Sequence, residues 1–193
     1  MTKLRNAVRR SALSGALPAA VLAALALLTL TPAWAALKVG DSAPDFTTQA
    51  AIGGKAFTFS LAEALKKGPV VVYFYPKAFT PGCTVEAHNF AEATDKFAAA
   101  GATLIGMSGD NIDTLKEFSV KECRNKFPVG ADADGKIMKK YDANLAFLAT
   151  TADRISYVIS PAGKVIYSYS SLSPDNHVEN TLKVVQDLNS AKH

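Results

Sequence analysis

Two cysteines, Cys83 and Cys123, carry the most reactive side chains in the sequence. Cys83 follows Pro76-Lys77-Ala78-Phe79-Thr80-Pro81-Gly82 and precedes Thr84-Val85-Glu86, so a proline-stiffened loop passes into a helical pattern with the sulfur in its first turn. Unpaired N–H groups and the positive end of the helix dipole favour a thiolate there, and the thiolate is the nucleophile. Thr80, three residues earlier, can offer its hydroxyl to the sulfur or to an oxygen of a bound substrate. Gly82 lets backbone N–H groups approach a small ligand with no Cβ in the way. A cysteine is also often a small buried hydrophobe, and residue type alone does not separate the two readings for Cys83.

Two thiols do not make a disulfide scaffold. In a domain of this size they form either one structural bridge or a working redox pair, and composition leaves that choice open. The histidines suggest neither a hydrolase pair nor a metal site. His88 lies five residues after Cys83, about 140° away around a helix, which suits neither proton transfer nor shared ligation. It reads as a surface residue, while His177 and His193 have no zinc-like spacing with Cys123.

The elements that must hold Cys83 follow from periodicity. Val70-Val71-Val72-Tyr73-Phe74-Tyr75 is a β-branched and aromatic run between Gly68-Pro69 and Pro76, the pattern of a strand buried on both faces. Similar strands are expected at Thr103 to Met107, Ile155 to Ile159 and Val165 to Tyr169, the last two joined by the turn Pro161-Ala162-Gly163-Lys164. A short strand is expected near Phe127 to Val129. At the start, Pro44-Asp45-Phe46 and Ala56-Phe57-Thr58-Phe59 flank Gly53-Gly54 as an opening hairpin. Ala87, Phe90, Thr94 and Phe97 mark one helix, which Ala98-Ala99-Ala100 ends. Ile112, Leu115 and Ser119 mark a second, with Asp110 or Asn111 as cap, and a last helix runs from about Asp175 to Leu188. The result is a mixed α/β sheet with helices on both faces, and its chemistry is expected beyond the carboxyl end of the central strand, in the Cys83 loop.

The first 35 residues read as an export leader. Lys3, Arg5, Arg9 and Arg10 precede the apolar stretch Leu17 to Leu30, and Ala33-Trp34-Ala35 has the small-x-small form of a cleavage site. An uncleaved anchor is the alternative, but the stretch contains Pro18 and is shorter than the roughly 20 residues of a spanning helix. Ser11-Ala12-Leu13 after Arg9-Arg10 fits a twin-arginine signal only loosely, so the general export route is expected. Taking the leader's four basic charges from the 21 Lys and Arg leaves 17, against 17 Asp and Glu. The neutral mature chain argues against nucleic acid or an anionic membrane as partner. Residues 36–193 suit a single domain, with no linker or repeat.

Pro76-x-x-x-Thr80-x-x-Cys83, preceded by Tyr73-Phe74-Tyr75, resembles the active-site motif of the peroxiredoxins. The likeness runs from Gly40-Asp41-Ser42-Ala43-Pro44-Asp45-Phe46 through Arg154-Ile155-Ser156-Tyr157-Val158-Ile159 and is greatest for the bacterioferritin-comigratory, or peroxiredoxin Q, branch. It implies a thioredoxin-like fold of peroxiredoxin type and a thiol-dependent peroxidase acting on hydrogen peroxide and organic hydroperoxides, with no metal or other cofactor. In that likeness Cys83 is the peroxidatic cysteine, Thr80 orients the peroxide and bonds the thiolate, and Pro76 shields the site from water. Arg154 stabilises the thiolate and polarises the peroxide; without the likeness it would read as a solvated strand-end charge.

One position departs from the pattern. Many members carry a resolving cysteine five residues after the first, where this chain has His88. Cys123 then becomes the candidate resolving thiol, on the following helix and about 20° from Ile112 around it, facing inward. Bridging requires Cα atoms within about 7 Å, so both segments are expected to fray before the sulfenic acid is resolved. A thioredoxin-like donor would then reduce the disulfide.

Three alternatives stay open: a one-cysteine peroxidase with Cys123 structural, a thiol-disulfide exchange protein on the same fold, and a metal carrier. The exchange protein usually needs Cys-x-x-Cys, and position 80 is Thr. The expected setting is the periplasm, with no stable membrane association after cleavage and a monomer or weak dimer as the assembly.

Overall fold

A computed structural model of the protein describes residues 36–191. The expected leader and its cleavage site lie outside these residues, as does His193. Seven strands form one mixed sheet: β1 (Thr47–Ile52), β2 (Lys55–Ser60), β3 (Val70–Phe74), β4 (Thr103–Ser108), β5 (Val129–Ala131), β6 (Ile155–Ile159) and β7 (Val165–Ser170), in the order β2-β1-β5-β4-β3-β6-β7. Five helices accompany them: α1 (Leu61–Leu65), α2 (Pro81–Ala99), α3 (Ile112–Lys121), α4 (Lys136–Lys140) and α5 (His177–Ser190). None among the described residues is long and apolar enough to cross a membrane.

The apolar run of β3 is buried at every position and splits by strand alternation. Val71, Tyr73 and, just beyond the strand, Tyr75 join Phe90, Phe97, Leu115, Phe118 and Val185 in one core layer, beneath α2, α3 and α5. Val70, Val72 and Phe74 join Leu61, Ala64, Ile137 and Met138 in the other, beneath α1 and α4. Helices therefore cover both faces, as periodicity predicted.

Register places the site. β3 pairs parallel with β4, Phe74 opposite Met107, and antiparallel with β6, Phe74 opposite Ile155. The carboxyl end of β3 thus lies beside the amino end of β6. The loop carrying Cys83 leaves from the first of these ends, and Arg154 immediately precedes the second, although 71 residues separate them in the chain.

Three expectations about local structure need correction. The opening strand is Thr47–Ile52, later than Pro44-Asp45-Phe46, and its pairing with β2 begins at Thr47 opposite Ser60. The short strand begins at Val129 and not at Phe127: Pro128 has no N–H to donate, and pairing with Gly106 begins at Val129. Cys123 is not on α3, which ends at Lys121. Its N–H turns back to the Phe118 carbonyl (3.0 Å), and Arg124 and Asn125 follow at φ 51° and 60°, a left-handed stop that takes the sulfur off the helix while leaving it fully buried.

Candidate active site

Thr80 is the extended N-cap of α2 and Pro81 occupies N1, where its missing N–H costs nothing. The first backbone bond of the turn runs from Thr84 N–H to the Thr80 carbonyl (2.9 Å). Thr80 caps nothing with its side chain. Its hydroxyl instead donates to the Lys77 carbonyl (2.9 Å), so the expected hydrogen bond to the sulfur is not made. The Thr80 oxygen keeps its lone pairs, and in this geometry it can accept a hydrogen bond from a bound peroxide but has no free O–H to donate to the sulfur.

The loop is held from below by a group that sequence reasoning passed over. Asp110, considered there only as a helix cap, accepts Ala78 N–H (2.7 Å) and the Ser108 hydroxyl (2.9 Å) through one carboxylate oxygen. Asn111 caps α3, accepting Thr114 N–H (2.9 Å). Between Pro76 and Thr80 the chain passes through Phe79 at φ 63°, a strained conformation for an aromatic residue, with its ring set edge-on to Phe118. Pro76 is half-buried beside these residues.

Cys83 is 2 % exposed and Arg154 only 5 %. Arg154 Nη2 lies 3.4 Å from Cys83 Sγ, Nη1 binds Glu86 Oε2, and Nε donates to the Leu172 carbonyl (2.9 Å). Pinned on three sides, the guanidinium presents a fixed positive charge to the sulfur. Gly82 has a further role beside the expected one: a Cβ there would come within 3.2 Å of Arg154 Nη2. Its missing side chain makes room for the arginine.

Behind the arginine lies a polar group that the sequence did not reveal. Glu86 is fully buried on α2, and burial pushes its carboxyl up to about 8 against the downward pull of Arg154. Its Oε1 has no hydrogen-bond partner, and His177 Nδ1 lies 3.7 Å from it. His177, also fully buried, bonds Ser156 Oγ (2.8 Å) and donates from Nε2 to the Ser171 carbonyl (3.0 Å). Burial lowers its affinity for a second proton.

Cys123 lies in the same core layer as Cys83, unbonded to it and without exposure. Burial pushes its thiol well up, so in the closed structure it is a protonated, unreactive group. His88 is half-buried rather than a plain surface residue: its Nε2 meets Glu122 Oε2 at 2.7 Å. Among the described residues no cluster of three or more His, Cys, Asp or Glu could hold a metal ion.

Comparison with known proteins decides the family. The AhpC/TSA family profile matches residues 39–168. This chain belongs to the AhpC/TSA family. It is 38% identical over 150 residues to a chloroplastic peroxiredoxin Q of Oryza sativa subsp. japonica, covering 77% of this chain and 67% of the relative. It is 32% identical over 156 residues to peroxiredoxin Bcp of Escherichia coli (strain K12), covering 78% and 97% of the two chains. The crystal structure of peroxidoxin BcpB from Mycobacterium tuberculosis superposes with a TM-score of 0.72 at 30% identity, covering 79% of this chain and 98% of that one. The protein is accordingly a thiol-dependent peroxidase of thioredoxin-like fold, and the resemblance drawn from the Pro76-to-Cys83 motif holds for the family and for the peroxiredoxin Q and Bcp branch.

Within this peroxiredoxin, Cys83, Arg154 and Gly82 converge as a group. Thr80 and Pro76 flank them in the same loop, and Cys123 stands apart in the core.

Proposed function

We propose that Cys83 is the peroxidatic cysteine, and that hydrogen peroxide and organic hydroperoxides are its substrates. The observation that carries this reading is the Arg154 guanidinium 3.4 Å from a sulfur in the first turn of a helix. The thiolate attacks one peroxide oxygen. The S–O bond forms as the O–O bond breaks, and the departing hydroxide or alkoxide takes up a proton as water or alcohol, leaving a sulfenic acid. Arg154 stabilises the negative charge at both stages, the N–H groups of Gly82 and Cys83 and the Thr80 oxygen orient the peroxide, and Pro76 limits access of water.

Cys123 then resolves the sulfenic acid: its sulfur attacks that of Cys83, the S–S bond forms, and the S–O bond breaks, its oxygen leaving as water with the thiol proton. A thioredoxin-like dithiol reduces the disulfide. The full burial of Cys123 favours a second reading, in which an external thiol performs the resolution and Cys123 is structural. Peroxide consumption with a thioredoxin system, compared among wild type, Cys83→Ser and Cys123→Ser, tests both. Activity surviving Cys83→Ser contradicts the reading, and full thioredoxin-dependent turnover in Cys123→Ser selects the external route.

The basic start, apolar stretch and Ala33-Trp34-Ala35 of residues 1–35 support an exported protein, cut after Ala35 and working in the periplasm. A mature N-terminus at Ala36 in the periplasmic fraction is the expected result.

A further inference from the structure

We propose that Asp110 is a positioning residue: acting through the single peptide group between Lys77 and Ala78, it fixes the Thr80 oxygen as the hydrogen-bond acceptor for the peroxide. The inference rests on the reading of Cys83 as the peroxidatic thiol.

Strand register brings the two segments together. Beyond the pairing of Phe74 with Met107, Tyr75 N–H donates to the Met107 carbonyl (3.0 Å), so the loop that leaves β3 runs beside the residues that leave β4. Asp110 stands in the second of these segments. Ser108, buried at the end of β4, holds it there by donating its hydroxyl to Asp110 Oδ2 (2.9 Å) and accepting Asp110 N–H (3.3 Å). The same Oδ2 accepts Ala78 N–H at 2.7 Å, a short bond of the kind a charged acceptor makes.

Both sides of one peptide are then committed. The N–H of Ala78 and the carbonyl of Lys77 belong to a single planar unit, and that carbonyl accepts the Thr80 hydroxyl at 2.9 Å. An anion on the N–H side polarises the peptide and makes its carbonyl the stronger acceptor, so the two bonds support each other. With the plane fixed, the Thr80 proton stays on Lys77 and only the lone pairs of Thr80 are left for a ligand. The next residue, Phe79, sits at φ 63°, a strained conformation that persists only where neighbouring bonds hold it. Without Asp110 the strain can relax by turning the peptide, and the freed Thr80 hydroxyl can rotate and donate to the sulfur. The oxygen that receives the peroxide O–H is then lost from its place.

The test measures two reactions of Cys83 in the purified full-length protein, oxidation by hydrogen peroxide and alkylation by iodoacetamide, with the modified residue located by peptide mass. Alkylation needs the sulfur but no acceptor at Thr80. Asp110→Ala is expected to slow oxidation about tenfold and to leave alkylation within about twofold of wild type, a split that general loosening of the loop would not give. Asp110→Asn, whose amide oxygen can still accept Ala78 N–H, should recover most of the loss. In Thr80→Val no hydroxyl is left to orient, so adding Asp110→Ala should slow oxidation no further. Should Asp110→Ala fold poorly by circular dichroism, Asp110→Ser, too short to reach Ala78, takes its place. Oxidation as fast as wild type in these variants, oxidation and alkylation falling together, or losses that multiply in the double variant overturn the inference. Peroxidase activity that persists in Cys83→Ser would instead fail the underlying assignment of Cys83; where activity depends on Cys83, the outcomes above bear on Asp110 alone.

Discussion

His88 Nε2 lies 2.7 Å from Glu122 Oε2, so α2, the helix that carries Cys83 in its first turn, is tied to the residue preceding Cys123. Two more pairs span the same elements, Arg124 with Glu92 at 3.1 Å and Lys126 with Asp95 at 3.3 Å. The segment they hold contains both left-handed residues, Arg124 and Asn125, each of which stores backbone strain that opening releases.

If Cys123 must leave the core to meet Cys83, loosening this fastening speeds the meeting. A half-buried pair contributes about 0.5–1 kcal/mol, which corresponds to roughly a two- to fivefold faster opening. His88→Ala and Glu122→Gln are expected to raise the rate of disulfide formation after a peroxide pulse by that factor, read by rapid quench and mass change. The initial peroxide reaction at Cys83 should be the same within twofold.

Burial pushes the Cys123 thiol well up, while the Cys83 sulfur lies 3.4 Å from the Arg154 guanidinium, so the two thiols differ in reactivity. Native reduced protein should alkylate rapidly at Cys83, and at Cys123 only on unfolding. Cys123→Ser places a hydroxyl where its surroundings include Tyr73, Phe118 and Phe127, and should lower stability by about 1–3 kcal/mol in urea unfolding, more than Cys123→Ala.

Gly82→Ala brings a methyl group to 3.2 Å from a guanidinium already fixed on three sides. The arginine must give by a few tenths of an ångström, and its contact with the sulfur changes first. We expect a slower second-order reaction with peroxide, by about tenfold, with the thermal midpoint little changed. Arg154→Lys should cost more, about 100-fold, because one ammonium cannot reach the sulfur, Glu86 and the Leu172 carbonyl together.

Glu86 also predicts a pH dependence of stability. Its folded-state value, pushed up to about 8, lies above its ordinary 4.5, so across that window the folded protein binds more protons than the unfolded chain. The contribution of this group to stability is fully present below about pH 4.5 and is lost as pH rises toward 8. Urea unfolding under reducing conditions should therefore show wild type losing ground to Glu86→Gln between pH 5 and pH 8.5. Equal slopes for the two proteins would contradict it.

Much of this site was legible in the residues, and what was not has a physical reason. The apolar run at Val70 to Tyr75 can be satisfied only by a strand buried on both faces, and Pro81-Gly82 ahead of a helical pattern fixes where the sulfur sits. Arg154 required family likeness, because its partner lies 71 residues away and strand pairing brings them together. Glu86 did leave a signal. Cys83, Glu86, Ala87 and Phe90 stand at i, i+3, i+4 and i+7, so a carboxylate lies in the middle of the buried stripe of α2. His177 left none, since nothing in its local pattern points to Glu86. Cys123 was misplaced because the stop of α3 uses Arg124 and Asn125 in the left-handed region, where sequence signals favour glycine.

The most direct measurement treats the reduced Cys123→Ala protein with one equivalent of hydrogen peroxide, traps the product with dimedone, and locates the adduct by peptide mass. The account predicts a single adduct on Cys83, formed within the mixing time and greatly reduced in the same protein carrying Arg154→Gln. Peroxide consumed with Cys83 unmodified, or an adduct that forms as fast without the arginine, would contradict it.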